Sequence, residues 1–283
     1  MADLIRIDIV VPEEFEDITT GVLTLRVAQG WEEDYLPTGE SLFRVYTDNP
    51  QFCEDLVGEV ESRVPEARVE RESVPQQDWV AAWRDYFTPV EAGSRFMVIA
   101  PWMHGEVDLK DRMPIVIEPK TAFGTGHHPT TALCLGAVSA LADKGRISAG
   151  MRFLDLGTGS GILGIGCAML GLSGVGSDID LLAVENTTEN KEINNVSDKF
   201  EVRLGSVEAV QGEQYDLVLA NILAQPLKEL AQDIVALMRP GGCLVLSGLL
   251  ELQADGVEAV YTALGLPQAR REVQGDWAAL IWE

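Results

Sequence analysis

Basic residues are scarce. The chain of 283 residues has 21 Lys and Arg against 45 Asp and Glu, a formal net charge of −24. A surface of that sign is repelled by phosphate backbones and anionic lipid, which excludes sequence-independent binding to DNA, RNA or membrane. Cysteine and histidine are scarce as well. Cys53, Cys134, Cys167 and Cys243 lie far apart without a C-x-x-C pair, and only three histidines could join them, so neither a zinc site nor a disulfide framework is expected. The thiols should be reduced and mostly buried. No uncharged apolar run approaches the ~18 residues of a membrane span. The opening segment, with Asp3, Arg6, Asp8 and the run Glu13, Glu14, Glu16 and Asp17, is incompatible with a signal peptide. The expectation is a cytoplasmic protein, its oligomeric state open, with a monomer favoured.

What is present is a composition of 46% hydrophobic and 23% charged residues, enough apolar material for a folded chain of one large or two ordinary domains. Acidity is heavier at the front. Residues 1–120 carry 11 Lys and Arg against 25 Asp and Glu, and the rest of the chain 10 against 20.

Periodicity separates the two parts. Leu4 to Val11 alternates as a strand, Pro12 to about Thr20 suits a short helix, and Val22 to Ala28 alternates again. Ser41 to Tyr46 and Ala67 to Val74 read as strands around a helix that starts at Asn49-Pro50 and has Phe52, Leu56, Val57 and Val60 on one face. The order β-α-β-β-α-β predicts a small ferredoxin-like domain over 1–74. A linker helix is expected over 75–95, with Trp79, Trp83 and Phe87 four residues apart on a face that docks into a core. From 96 to 283 strands alternate with helices, which calls for a parallel sheet covered on both faces.

The chemistry concentrates in FLDLGTGSGILG, Phe153 to Gly164. An apolar strand ends in Asp155, and Gly157, Gly159 and Gly161 follow before a helix. Glycines there let backbone approach a ligand, and the helix start offers unpaired N–H groups. Gly159, Gly161 and Gly164 also satisfy the dinucleotide fingerprint G-x-G-x-x-G, so a nicotinamide-dependent dehydrogenase stays in view. Negative charge at Asp155 suits a sulfonium bearing an α-ammonium better than a pyrophosphate, which favours S-adenosylmethionine. The next strand ends in Asp178, placed to accept from ribose hydroxyls, while Asp180 is the more natural cap of the following helix.

Further motifs stand on either side of this loop: FGTGHHPTT at Phe123 to Thr131 and YDLVLANIL at Tyr215 to Leu223, with DWVAAWR at Asp78 to Arg84, APW at Ala100 to Trp102, SDID at Ser177 to Asp180 and LSGLL at Leu246 to Leu250. In this order they resemble the bacterial ribosomal protein L11 methyltransferase (PrmA) family over about residues 78–283. One departure is Pro119-Lys120-Thr121, where the family usually has Pro-Gly. The resemblance implies a class I methyltransferase fold, a Rossmann-like, seven-stranded doubly wound sheet; the acidity of the ferredoxin-like domain before it suggests a substrate-recognition domain that captures a basic protein. The resemblance also implies transfer from S-adenosylmethionine to lysine ε-amines and the terminal α-amine of ribosomal protein L11. By motif, Thr131, Gly157, Asp178 and Asn221 would contact the donor, with Asn221 also near the amine.

Phe123, Gly124 and Thr125 could close over the donor with Gly126. His127 and His128 are candidate bases, with loop structure or substrate contact the stronger expectation for both. His104 is the other histidine and no ligand spacing is recognisable, so no metal is expected. The rivals are a methyltransferase of the same fold with another protein acceptor, a nucleic-acid methyltransferase, which the acidity disfavours, the dehydrogenase, and a non-catalytic donor-binding module.

Overall fold

A computed structural model describes residues 4–27, 31–36, 38–47, 49–74, 88–118 and 126–283. The helix expected around Trp79, Trp83 and Phe87, and the stretch Phe123, Gly124, Thr125 with the preceding Pro119-Lys120-Thr121, lie outside the described residues. The chain divides into two compact units, 1–86 and 87–283.

In the first unit β1 (Leu4–Pro12) is followed by α1 (Glu16–Arg26), β2 (Glu32–Tyr35), β3 (Glu40–Thr47), α2 (Pro50–Arg63) and β4 (Arg68–Val74). The sheet order is β2-β3-β1-β4 with every pairing antiparallel, which is the ferredoxin-like arrangement. Asn49 caps α2 by accepting from the N–H groups of Gln51 and Phe52, with Pro50 in the first turn. One expected strand is corrected. Val22 to Arg26 belongs to α1, because Thr19, Val22, Leu23 and Val27 are buried at helical spacing and pack against α2 and the sheet. The second strand is instead β2, whose residues are all exposed and carry no alternation.

The second unit opens with a three-stranded sheet, β5 (Val90–Ala92), β6 (Phe96–Ile99) and β7 (Met113–Val116), in the order β5-β6-β7. Val90–Ala92 is thus a strand where the linker helix was expected. Then come α3 (Pro129–Asp143), β8 (Arg152–Leu156), α4 (Ile162–Met169), β9 (Ser173–Asp178), α5 (Leu181–Ile193), β10 (Phe200–Leu204) and β11 (Tyr215–Asn221). Two short helices follow, α6 (Ala224–Glu229) and α7 (Ala231–Ala236), before β12 (Met238–Leu250), α8 (Glu251–Ala263), β13 (Arg270–Gln274) and β14 (Trp277–Trp282). The sequence carries no periodic signal for α3, which buries residues on nearly every side and so lacks an amphipathic stripe.

The large sheet runs β10-β9-β8-β11-β12-β14-β13. Strands β8 to β12 pair in parallel, and β14 inserts antiparallel between β12 and β13. Alternate residues feed two cores. Phe153, Leu217, Leu219, Val245 and Ile281 pack on one face with α3 and α4, and Leu154, Val218, Leu244, Leu246 and Leu280 on the other with α6, α7 and α8. Burial of both faces is why these strands read as continuous apolar runs. All four cysteines are buried and free. No helix among the described residues is long and apolar enough to cross a membrane.

Candidate active site

The strand order reverses beside β8: β9 lies to one side of it and β11 to the other. Loops leaving the carboxyl ends of parallel strands at such a point diverge and open a crevice. Here the crevice is a cleft of about 470 Å³ whose lining includes Gly157, Thr158 and Gly159 after β8, Asp178 at the end of β9 with Ile179 after it, and Gly205 and Ser206 after β10. It also includes Asn221 at the end of β11 with Ile222 and Leu223 after it, His128, Thr130 and Thr131 from the start of α3, Gly248 of β12 and Trp277 of β14.

The glycine loop is held from both neighbours. The N–H groups of Gly157 and Thr158 donate to the Ser177 carbonyl at 2.8 and 3.0 Å, and Gly159 N–H donates to the Asp178 carboxylate at 2.9 Å. Gly157 has φ +72° and a Cβ there would stand 2.3 Å from Cγ2 of Ile222, so only glycine keeps the loop and the lining apart. At Gly164 the constraint is packing: a Cβ would stand 2.2 Å from the Phe200 ring.

Asp155 is corrected from its expected place beside the ligand. It is 1% exposed and does not belong to the cleft lining. Its Oδ2 lies beneath the loop and accepts from Thr158 Oγ1 at 2.7 Å and Gly164 N–H at 2.9 Å. Burial pushes its carboxyl up to about 7, against those two hydrogen bonds, with the charge of Asp178 adding to the rise. Asp178 does line the cleft, and its other oxygen accepts from Asp180 N–H at 3.0 Å. Asp180 caps α5 through Leu182 N–H, as its position suggested.

Among the described residues, two that line the cleft keep a buried polar atom without a partner: Thr131, with its hydroxyl, and Asn221, with Oδ1. Such atoms are costly unless something occupies the cleft and pairs with them. His128 caps α3, its Nδ1 receiving Thr130 N–H at 3.4 Å and standing 2.7 Å from Thr130 Oγ1. Burial lowers its pKa and favours the neutral ring. That ring meets Trp277 edge to face, centroids 4.5 Å apart. His127 is outside the lining; its ring is exposed and its Nε2 lies 3.1 Å from the Thr88 carbonyl. Trp277 and Ser206 were not expected, since nothing in their local sequence marks them, and Gly248 lies in the LSGLL motif, to which no site role was given. They reach the cleft only because β14, β12 and β10 end there.

The lining fits S-adenosylmethionine: a backbone approach at the glycines, a carboxylate at Asp178 for ribose hydroxyls, and unpaired polar atoms at Thr131 and Asn221. The antiparallel β14 between β12 and β13 separates this sheet from all-parallel dinucleotide-binding sheets, and the unit is a class I, S-adenosylmethionine-dependent methyltransferase domain. Sequence comparison carries this to a family. The family profile described as ribosomal protein L11 methyltransferase (PrmA) matches residues 25–283, and the chain belongs to that family. A ribosomal protein L11 methyltransferase of Myxococcus xanthus is 41% identical over 243 residues, covering 86% of this chain and 81% of that protein. One of Chloroflexus aurantiacus is 32% identical over 276 residues, covering 89% and 81%. Among solved structures, a ribosomal protein L11 methylase of Lactobacillus delbrueckii subsp. bulgaricus superimposes with a TM-score of 0.61 at 26% identity, over 69% of this chain and 97% of that one.

Proposed function

We propose that this chain methylates ribosomal protein L11 on lysine ε-amines and on the terminal α-amine, with Thr131, Gly157, Gly159, Asp178 and Asn221 holding the methyl donor. The observation that carries the reading is the unpartnered Oδ1 of Asn221 at the end of β11, in a cleft whose lining also includes the apolar side chains of Ile222, Leu223, Pro226, Leu230 and Trp277. S-adenosylmethionine, when bound, supplies a methyl group already activated by a sulfonium. The protein's work is alignment and exclusion of water.

A lysine amine must be neutral to attack, and its ordinary pKa is about 10.4. Apolar walls disfavour the ammonium and lower that value, whereas carboxylates close by would raise it. A neutral oxygen such as Asn221 Oδ1 suits this site, since it can accept an amine N–H and aim the lone pair without restoring the charge. The proton leaves to water as the amine enters. An obligatory base is not part of the reading: Nδ1 of His128 is committed to Thr130, and the ring of His127 lies at the Thr88 carbonyl.

The acidic front unit suits capture of a basic protein. On this reading the enzyme works in the cytoplasm, as a monomer, on a substrate met apart from bare RNA. The test is incubation of the full chain with labelled S-adenosylmethionine and purified ribosomal protein L11, and mapping of the labelled amines by mass spectrometry. Label on lysine and terminal amines of L11 supports the proposal, and label on other proteins of a ribosomal extract with none on L11 rejects it. Raising salt should raise KM for L11 more than Kd for the donor, because only the former rests on long-range charge.

A further inference from the structure

Helix α5 and Asn194, the residue that caps its carboxyl end, carry a row of buried polar side chains that the chemistry above does not use. Asn186, Thr187, Asn190 and Asn194 are 4%, 0%, 0% and 9% exposed. Asn186, Asn190 and Asn194 recur four residues apart and so share one face of the helix. Buried amides are costly unless their donors and acceptors are met, and those of Asn190 are met across two different structures. Its Nδ2 donates to the Ser160 carbonyl of the glycine loop at 2.9 Å and to Asn186 Oδ1 at 3.1 Å, while its Oδ1 accepts Glu118 N–H, just beyond β7, at 3.0 Å.

The neighbouring residues extend this bridge in both directions. Thr187 Oγ1 donates to the Gly159 carbonyl at 2.8 Å. Asn194 pairs with Val116 of β7 as a strand would, accepting its N–H at 2.9 Å and donating to its carbonyl at 2.6 Å. The asparagines thereby satisfy an edge of β7 that has no strand beside it among the described residues. If sheet-edge protection were their whole purpose, Asn194 and one acceptor on Asn190 would suffice. Thr187 and the Asn190 amide instead direct their donors to the glycine loop.

The sheet at the other end of the bridge supports another part of the cleft. Gly126 packs on Val98 of β6, so closely that a Cβ would stand 2.7 Å from Val98 Cγ1. His127 Nε2 lies 3.1 Å from the Thr88 carbonyl, just before β5. The next residues, His128, Thr130 and Thr131, line the cleft. A contiguous path of short contacts therefore joins the glycine loop, Asn190, the three-stranded sheet and Thr131.

We propose that Asn190, aided by Thr187 and Asn194, is a positioning residue for methyl-donor binding: it sets the glycine loop in register with the three-stranded sheet that carries the His128 to Thr131 part of the cleft. The proposal rests on the assignment of that cleft to the methyl donor. It predicts that Asn194, which touches neither the cleft nor the glycine loop, nonetheless governs donor affinity.

The test is calorimetric titration of the full chain with S-adenosylhomocysteine, paired with KM for ribosomal protein L11. Loss of buried hydrogen bonds of this kind should raise the donor Kd about tenfold in Asn190→Ala and about threefold in Asn194→Ala and Thr187→Val. KM for L11 should stay within about twofold of the parent, because the acceptor does not depend on this register. Ile234→Ala, in the core on the other face of the sheet, serves as the comparator: it should lower Tm yet leave the donor Kd within about twofold. Parent-like Kd in both Asn194→Ala and Thr187→Val overturns the proposal, as does an equal rise in Ile234→Ala. Should Asn190→Ala fail to fold, the two milder variants decide on the same terms. A parent chain that does not bind S-adenosylhomocysteine overturns this proposal together with the donor assignment. One that binds it but leaves L11 unmethylated overturns only the choice of acceptor, and the comparison of variants still decides.

Discussion

The carboxylate of Asp178 accepts the main-chain N–H of Gly159 at 2.9 Å, so the end of β9 holds the loop that follows β8 as well as facing the cleft. Removing it should cost twice if the proposed donor site holds, once in loop geometry and once in the proposed contact with ribose hydroxyls. Asp178→Ala is expected to raise the donor Kd by about two orders of magnitude, and Asp178→Asn, which keeps one acceptor, by about tenfold. Titration with S-adenosylhomocysteine measures both. Equal effects from the two variants would argue that only the negative charge matters.

Thr131 should show opposite signs in stability and binding. Its hydroxyl is buried without a partner, so the isosteric Thr131→Val removes an unmet polar group and should stabilise the ligand-free chain by about 1 kcal/mol. The same change should weaken donor binding about tenfold, because the hydroxyl is then absent when the cleft is filled. Thermal unfolding without and with S-adenosylhomocysteine reads both effects. A variant that is less stable without ligand would mean that the hydroxyl has a structural partner.

Asp155 gives the stability an unusual dependence on pH. Its folded-state pKa is raised to about 7, above an unfolded value of about 3.9. The folded chain therefore holds a proton there that the unfolded chain has released, and stability from this group is lost as pH rises through that window, at up to about 1.4 kcal/mol per pH unit. Asp155→Asn keeps an acceptor for Thr158 and Gly164 and removes the titration. Urea unfolding from pH 5 to 8 should show the variant gaining on the parent as pH rises, with the difference levelling off above about pH 7. A constant difference across that range would mean that Asp155 titrates normally.

The two adjacent histidines should separate in mutagenesis. His127→Ala removes a ring outside the cleft lining and should keep kcat within about threefold of the parent. His128→Ala removes a helix cap, worth about 1 kcal/mol, and the ring against Trp277, so it should lower Tm and raise KM more than it lowers kcat. His128→Asn restores a cap and should recover most of the lost Tm. A fall in kcat of three orders of magnitude in either alanine variant would restore the case for a histidine base.

Several parts of this site were legible in the sequence because their causes are local. Gly157 is required by its own positive φ, Asp180 caps the helix that starts beside it, and the apolar run before Asp155 is what a strand buried on both faces looks like. Other parts were not, because their partners are remote. VLTLRVA alternates like a strand, but Val22, Leu23 and Val27 are drawn to one helical face by α2 and the sheet. Trp277 gains its role only from the insertion of β14 beside β12. Asn194 looks like an ordinary helix-end residue until Val116, 78 positions earlier, is placed against it.

By itself the sequence determined the family, the two folds and the glycine loop with its second acid, since each is encoded in short motifs and in residue periodicity. The tertiary structure decided the division of labour among the acids. It turned Asp155 under the loop, where burial raises its pKa, and left Asp178 at the surface of the cleft. It also decided what fixes the cleft's parts in place. A buried asparagine can bridge two sheets only when the chain brings both within about 3 Å of it, and no pattern along the sequence records that meeting.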